Sequence, residues 1–345
     1  MRVFVAMSGG VDSSVAAALL VEAGHDVTGV TMQLLPEGDD PGQCCGTDAV
    51  RAARRVCDLL GVPHYALNSR DVFEREVILP FAEEYAAGRT PNPCIACNDR
   101  VKFADLLARV RAQGADALAT GHYARIVRDP GGTAWLARGL DPNKDQSYFL
   151  YRLAAPAIDD VIFPVGGMRK SQVRDVARRL ELPTAERPES QEICFVADGG
   201  VASFIGSFAP HSLQPGPIID ASGVRLGTHA GVARYTVGQR KGLGIASPEP
   251  LYVIAIDAPA STITVGTQAE LQRNSVFIRD PIWRLSDDEV RVEVQTRYRM
   301  HPVPAIARRT SEGIEIKFDR PVTAVAPGQA VVCYADERVV AGGVV

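Results

Sequence analysis

The sequence predicts an α/β N-terminal domain, a doubly wound parallel sheet, followed by two small β-rich domains. Three observations lead there. From residue 1 to about 125, short apolar strands alternate with helical stretches. A Ser/Gly turn joins the first strand directly to the first helix. After about residue 210 the texture becomes short alternating segments parted by Gly, Pro, Asp or Asn, the pattern of small barrels or sandwiches.

Taken in order, residues 2–6 form an apolar strand, 13–23 a helix closed by Gly24, and 25–32 a second strand. Thr47 N-caps a helix over 48–60 that Gly61 ends. A strand at 64–68 precedes Ser69, which caps a helix running towards Gly88. Another helix spans 98–113 with Asn98 as its cap, and a strand at 115–120 leads into Gly121 and His122. Ligands of such sheets bind beyond the carboxyl ends of the strands, so the loops after Ala6, Met32 and Thr120 face one site. Residues from about 125 to 204 are mixed, with a helix at 170–180 and a Pro/Glu/Ser-rich loop at 183–191. Later strands are predicted at 251–257, 262–265, 291–296, 313–318 and 329–334. The domains are therefore 1–207, which includes a helical extension, then 208–272 and 273–345.

The bulk numbers narrow the function classes. A content of 46% apolar and 23% charged residues is ordinary for a globular chain and argues against disorder. The formal charge of −4 gives no global basic field, so a nucleic-acid partner must be held by local patches. The N-terminus runs straight into a motif without a secretory pattern, and no apolar run reaches about 18 residues, which disfavours export and membrane spanning. Seven scattered cysteines, an odd number, read as reduced cytosolic thiols and place the chain in the cytoplasm. Only five of 37 basic residues are lysines, so a lysine marks a place where a compact, mobile ammonium is wanted.

The first motif is Ala6-Met7-Ser8-Gly9-Gly10-Val11-Asp12-Ser13-Ser14. Glycines let the backbone approach a phosphate, and successive N–H groups at a helix N-terminus cradle an anion. Ser8, Ser13 and Ser14 add hydroxyl donors, and Asp12 can help hold a phosphate-bound Mg2+. No Gly-Lys-Ser/Thr follows, so this is not the loop of γ-phosphate-cleaving NTPases. The S-G-G-x-D-S resembles the signature of N-type ATP pyrophosphatases with a HUP-like fold, which implies cleavage of ATP between its α- and β-phosphates.

The second motif is Gly88-Arg89-Thr90-Pro91-Asn92-Pro93-Cys94-Ile95-Ala96-Cys97-Asn98, followed by Lys102-Phe103. With Asn98 as a cap, Cys97 lies beside a helix N-terminus whose dipole lowers its pKa. Cys-x-x-Cys by itself fits a redox pair, half a zinc site or an iron–sulfur site; no second Cys-x-x-Cys or finger-like histidine spacing supports a closed zinc site. The third element is Ser190-Gln191-Glu192-Ile193-Cys194-Phe195.

Together these stretches resemble the tRNA-specific 2-thiouridylases, in a three-cysteine version. The likeness continues through residues 119–125, 143–150, 163–166, 238–244, 297–299 and 327–329. The resemblance implies ATP on Ala6, Met7, Ser8, Gly9, Gly10, Val11, Asp12, Ser13, Met32 and Gly121. It makes Cys97 the nucleophile and Cys194 a partner that carries a persulfide or closes a disulfide with it. Asn92, Pro93 and Cys94 would contact the target base, and His122, Lys144, Asp145, Gln146, Arg297, Tyr298 and Gln329 the tRNA. It further implies wobble-uridine 2-thiolation on a tRNA anticodon stem-loop, fed by a sulfur-donor protein or sulfide source. A monomer acting on one tRNA is the default.

Position 94 departs from one well-known version of the family, which has aspartate there. Cys94, Cys97 and Cys194 resemble the ligands of members and related thiolases that hold a [4Fe–4S] cluster with one open iron. The cluster and the persulfide route both stay open. Cys44-Cys45 reads as incidental loop thiols or a sulfur relay, and Cys57 and Cys333 as core packing. Lys170, Arg174 and Arg178 line one helical face opposite Val173, Val176 and Leu180, a solvated or phosphate-contacting surface. Arg297, Arg299, Arg308 and Arg309 offer a second basic patch. The competing classes are ATP-dependent amide or guanidine synthesis on small metabolites and a non-enzymatic iron–sulfur RNA sensor. The first leaves the paired thiols without a task, the second the phosphate loop.

Overall fold

In the computed structural model, which describes residues 1–36, 47–153, 155–188, 193–196 and 200–345, the chain gathers into two compact units. Unit 1 holds Met1–Val77, Cys94–Phe195 and Glu337–Val339; unit 2 holds Ile78–Pro93, Val196–Asp336 and Val340–Val345.

Unit 1 opens with β1 (Arg2–Ala6), α1 (Val11–Glu22), β2 (Asp26–Gln33), α2 (Thr47–Leu60), β3 (His64–Asn68) and α3 (Arg70–Phe73). A π-helical turn, Glu74–Ile78, leads on to α4 (Leu79–Ala86), which belongs to unit 2. Next, α5 (Pro93–Ala96) runs unbroken into a ten-residue π-helix, Cys97–Leu106, and α6 (Leu107–Ala112). Then come β4 (Ala117–Thr120), the hairpin β5 (Ala124–Arg128) and β6 (Ala134–Arg138), α7 (Ala155–Ile158), β7 (Val161–Ile162) and α8 (Lys170–Arg179).

The sheet order is β3-β2-β1-β4-β7 and every described pairing is parallel. Consecutive residues Val3, Phe4 and Val5 are all buried, which in a pleated strand means both faces are covered. Eight residues of α1 are buried, and it shares one core with β1, β2, α2 and α8. The strand order reverses between β1 and β4, and their carboxyl ends, Ala6 and Thr120, are register partners. In open α/β sheets that reversal opens the ligand crevice.

The expected helix at 98–113 begins earlier. Pro93 starts it, because its fixed φ and missing N–H suit a first helical turn. Cys97 therefore sits in the second turn, and Asn98 is no cap. Its side chain instead donates to the Phe149 carbonyl at 3.2 Å and accepts from Lys102 Nζ at 2.9 Å.

In unit 2, α9 (Gly200–Phe208) brings the Phe204 ring centroid to 6.4 Å from that of Phe81. A four-stranded sheet follows: β8 (Gly216–Ile219), β9 (Arg225–His229), β10 (Tyr252–Asp257) and β11 (Thr262–Gly266), in the order β10-β11-β8-β9. Ile218, Val232, Tyr235, Val253, Ile263 and Val265 form its core. Then β12 (Gln272–Trp283), β13 (Glu289–Gln295), β14 (Val303–Arg309), β15 (Ile314–Thr323), β16 (Ala330–Ala335) and β17 (Arg338–Val344) pair in the order β12-β15-β14-β13-β16-β17. A further pairing of β12 with β17, Arg279 opposite Val344 and Trp283 opposite Ala341, closes these six strands into a barrel. Closure leaves no open edge for another chain to extend. Of these strands the sequence reading anticipated β13, β15 and β16 and passed over β12, β14 and β17. No helix among the described residues is long and apolar enough to cross a membrane.

Gly29 interrupts β2 for a packing reason: a Cβ there would lie 2.5 Å from Cys57 Sγ, and Cys57 is fully buried on α2, as expected of a core residue. Gly29→Ala is expected to cost about 1–3 kcal/mol of stability. Adding Cys57→Ala is expected to recover roughly half of that loss, because the two atoms compete for one space. Urea unfolding of the two single variants and the double variant measures both.

Candidate active site

The Ser8–Gly10 loop joins β1 to the N-terminus of α1. Gly9 has φ +72, and a Cβ on it would lie 2.7 Å from the Ala49 carbonyl oxygen, so only glycine fits. Ser13 Oγ accepts from Ser8 N–H at 3.2 Å and donates to the Gly10 carbonyl at 3.1 Å; Ser14 Oγ donates to the same carbonyl at 2.8 Å. Ser13 and Ser14 are buried and shape the loop from beneath, while Ser8 is the exposed hydroxyl. This corrects the expectation that all three serines offer donors outward. Met7 and Val11 are buried flanks, Ala6 is half-buried, and Thr31 Oγ1 donates to the Met7 carbonyl at 2.9 Å. Met32, buried, stands near the carboxyl end of β2.

Gly121 follows β4 and lies against the loop. A Cβ there would fall 2.5 Å from Ser13 N and 2.6 Å from Asp12 C. Beyond it, Tyr123 Oη donates to Asp12 Oδ1 at 2.7 Å, and Lys170 Nζ, from the first residue of α8, reaches Asp12 Oδ1 at 2.7 Å and Oδ2 at 2.9 Å. Arg187 Nη1 donates to the Gly9 carbonyl at 3.0 Å. The carboxylate that the sequence assigns to a phosphate-bound magnesium ion is bridged here by the Lys170 ammonium. The sequence reading had placed Lys170 on a basic helix face and passed over Arg187; only the scarcity of lysine hinted at the former. The rest of that face is engaged as well, Arg174 half-buried and Arg178 at the surface. Arg174 donates to the Ala185 carbonyl at 2.6 Å and Arg178 to Glu186 at 2.8 Å, so the helix straps residues 185–187 rather than presenting a bare cationic surface.

Cys94 is exposed in the first turn of its helix; Cys97 and Cys194 are half-buried. Burial, with smaller upward contributions from the neighbouring thiols of Cys194 and Cys94 and against the downward pull of the Lys102 ammonium, pushes the Cys97 thiol up to about 12. The expected dipole-lowered pKa is thus reversed: Cys97 is one turn too far from the helix N-terminus and too enclosed. The π-helix explains the Lys102 influence. Residues five apart stack about one turn above each other where N–H groups reach i−5 carbonyls, whereas an α-helix would turn them about 140° apart. Among the described residues no three His, Cys, Asp or Glu side chains are gathered as metal ligands, so the three thiols as arranged do not make a cluster site. Phe195, beside Cys194, packs edge-on to Phe73 at 5.6 Å. Cys333 is fully buried in β16. Cys44, Cys45 and residues 190–192 lie outside the described residues.

His122 is half-buried between the rings of Phe103 and Phe163, at 6.2 Å and 6.1 Å, with Nδ1 2.7 Å from Thr120 Oγ1. Burial, and after it the Lys102 charge, holds its pKa well below the ordinary histidine range, so the ring is neutral at pH 7. Asp145 accepts from the N–H groups of Gly139 at 2.9 Å and Ser147 at 3.0 Å, and Gln146 Oε1 accepts from Tyr123 N–H at 3.0 Å. Both residues are half-buried, and these bonds fix their side chains within unit 1. Lys144 beside them is half-buried.

In unit 2, Gln329 Nε2 donates to the Thr90 carbonyl and Thr90 N–H donates to the Pro327 carbonyl at 2.8 Å, bracing the stretch that leads to half-buried Asn92 and buried Pro93. Arg297 is exposed, and Arg299 stacks on Tyr298 at 5.5 Å. Arg308 and Arg309 are paired with Glu289 and Asp288, which neutralises half of the expected C-terminal patch.

At pH 8 iodoacetamide is expected to label exposed Cys94 at least about tenfold faster than Cys97, whose thiolate is scarce at that pH. Lys102→Met removes a cation that lowers the Cys97 pKa, so its thiolate fraction falls and its labelling slows further. Peptide mass spectrometry across pH 7–10 reads both effects.

The family models agree along the chain. The model described as "tRNA methyl transferase HUP domain" matches residues 1–198, "tRNA methyl transferase PRC-barrel domain" 202–267 and "Aminomethyltransferase beta-barrel domain" 273–345. The tRNA-specific 2-thiouridylase MnmA of Geobacter metallireducens is 47% identical over 352 residues, covering 99% of this chain and 96% of that protein. That of Chloroflexus aggregans is 48% identical over 352 residues, at 99% and 97% coverage. Among solved structures, a 4-thiouridine synthetase–RNA complex with bound ATP aligns at a TM-score of 0.38 and 17% identity, over 56% of this chain and 44% of that one, and nothing further rests on it. The identity and coverage of the full-length relatives decide the matter: the chain belongs to the tRNA-specific 2-thiouridylase family.

Proposed function

We propose that this chain converts the C2 carbonyl of the wobble uridine of tRNA into a thiocarbonyl, using ATP as the activator and cysteine-borne sulfur. The observation that carries the reading is the joint at the end of β4. Gly121 is seated on the Ser8–Ser13 loop, and the next residue, His122, packs on Phe103 of the helix that bears Cys97. An activating loop and a thiol helix thus meet through two consecutive residues.

The uridine O2 attacks the α-phosphorus of ATP; the O2–P bond forms, the bond to the bridging oxygen breaks, and pyrophosphate leaves. The adenylated carbon then accepts the outer sulfur of a Cys194 persulfide as AMP departs with its electron pair. Cys97 sulfur attacks Cys194 sulfur, and the cleaved S–S bond leaves its electrons on the new thiocarbonyl. A Cys97–Cys194 disulfide remains. Either an external dithiol reduces it and a donor protein's persulfide then passes its outer sulfur to the Cys194 thiol, or sulfide attacks Cys194 sulfur in the disulfide directly, forming the persulfide and releasing Cys97 as the thiol. Burial keeps Cys97 a thiol, so its attack requires that its proton pass to a base, for which the phosphate of the departing AMP serves. Cys94, with Asn92 and Pro93, would border the base, and Arg297, Tyr298, Lys144 and His122 would meet the tRNA, with phosphate contacts positioning it. The base must leave its stack, which is cheapest for an anticodon-loop nucleotide. Magnesium would arrive on the ATP phosphates. No step is routed through an iron–sulfur cluster, for which the three thiols are not gathered.

With ATP and tRNA lacking the modification, Cys97→Ser and Cys194→Ser are expected to keep pyrophosphate release within about threefold and to form no 2-thiouridine by nucleoside mass spectrometry. Pyrophosphate release that ignores tRNA and follows a small amine would instead favour the amide-synthesis class. Anaerobic purification with iron and sulfide analysis decides the sulfur route. A colourless, active wild type keeps the cysteine pair; about four irons per chain, lost in Cys94→Ala together with thiolation, would replace it with the cluster.

A further inference from the structure

We infer that Lys170 is the cationic catalytic residue that receives the leaving pyrophosphate, and that Asp12 holds its ammonium in place until ATP arrives. This rests on the proposal that ATP is cleaved between its α- and β-phosphates. The loop itself supplies backbone N–H groups and one exposed hydroxyl, Ser8, but no cation, because the lysine of a γ-cleaving loop is missing. Two basic side chains reach the loop from the α8 region: Lys170, on both oxygens of Asp12, and Arg187, on the Gly9 carbonyl. A leaving group carrying several negative charges needs a preorganised positive partner.

Lys170 is placed independently of Asp12. Its own N–H donates to Asp141 Oδ2 at 3.0 Å, and α8 is fixed by Val173 and Ala177 in the core and by Arg179 on Glu22. The pair is therefore not what docks the helix. A half-enclosed ion pair, here with side chains 12% and 30% exposed, contributes little net stability over apolar packing, so docking alone does not account for it. Lysine also suits the task chemically. Its ammonium is compact, sits on a flexible four-carbon stem, and can pass from a carboxylate to a phosphate oxygen by a small swing; Tyr123 keeps a bond to Asp12 when it does. In a chain with five lysines among 37 basic residues, arginine is the default and lysine the exception. As the bond from the α-phosphorus to the bridging oxygen breaks, its electron pair stays on that oxygen. Lys170 donates a hydrogen bond to it, and no proton need transfer.

The test is Lys170→Met, with Lys170→Gln as a second variant should the first fold poorly. Pyrophosphate alone, titrated calorimetrically in magnesium buffer, is expected to bind at least about tenfold more weakly to either variant, and AMP to bind within about twofold of wild type. The kcat for tRNA-dependent pyrophosphate release is expected to fall about 100-fold or more. Unchanged pyrophosphate affinity, or equal weakening of pyrophosphate and AMP, overturns the inference and leaves Lys170 a structural partner of Asp12. If wild type releases no pyrophosphate with any tRNA, the proposed function falls, and the two affinities still judge Lys170 separately.

Discussion

The site depends on a contact between two pieces of backbone. Gly121, at the end of β4, lies so close to the Asp12–Ser13 peptide that no side chain fits between them. The contact exists because β1 and β4 are neighbours whose connections leave in opposite directions, which puts both loops at the switch point of the sheet. Everything nearby respects that spacing. Gly9 is closed in by Ala49, Ser13 and Ser14 turn their hydroxyls back onto the loop, and α1 is apolar enough to be enclosed behind it. The loop is thus held rigid from several sides before any phosphate arrives, so little ordering entropy is left to lose on binding.

Charge and sulfur chemistry are arranged around that contact. One side carries Asp12 with Lys170 and Tyr123; the other carries His122, Phe103 and the thiol helix. Lys102 connects two titrating groups, since its ammonium pulls both Cys97 and His122 downward. It reaches Cys97 through the π-helical winding of Cys97–Leu106. Such winding is uncommon in helices and gathers at functional places, because it trades hydrogen-bond geometry for a side-chain register an α-helix cannot offer.

Much of this was legible in the sequence wherever the signal is local. Strand–helix alternation gave the parallel sheet, the Ser/Gly turn gave the loop, and the burial of Cys57 followed from its helical face. The barrel was half legible. β13 and the first half of β15 alternate and β16 is a short apolar run, whereas β12 is twelve residues with polar stretches and register shifts, and β14 carries Pro304 at its second position. What failed were inferences from local rules that distant contacts override. Asn98 looks like a cap until Phe149 is brought beside it. Lys170 lies 158 positions from Asp12, a pairing that no window along the chain contains.

Unit 1 includes Glu337–Val339, and there Arg338 lies opposite Ala137 of β6 while Glu337 pairs with Arg125. Synthesis runs from the N-terminus at roughly 5–20 residues per second, so the hairpin β5–β6 emerges well before these partners exist. The phosphate loop and thiol helix can form early, but the unit that carries them receives a strand contact from a segment about 200 positions beyond the hairpin. A prematurely terminated product would thus hold the catalytic side chains on an unfinished scaffold, with the edge of a hairpin exposed.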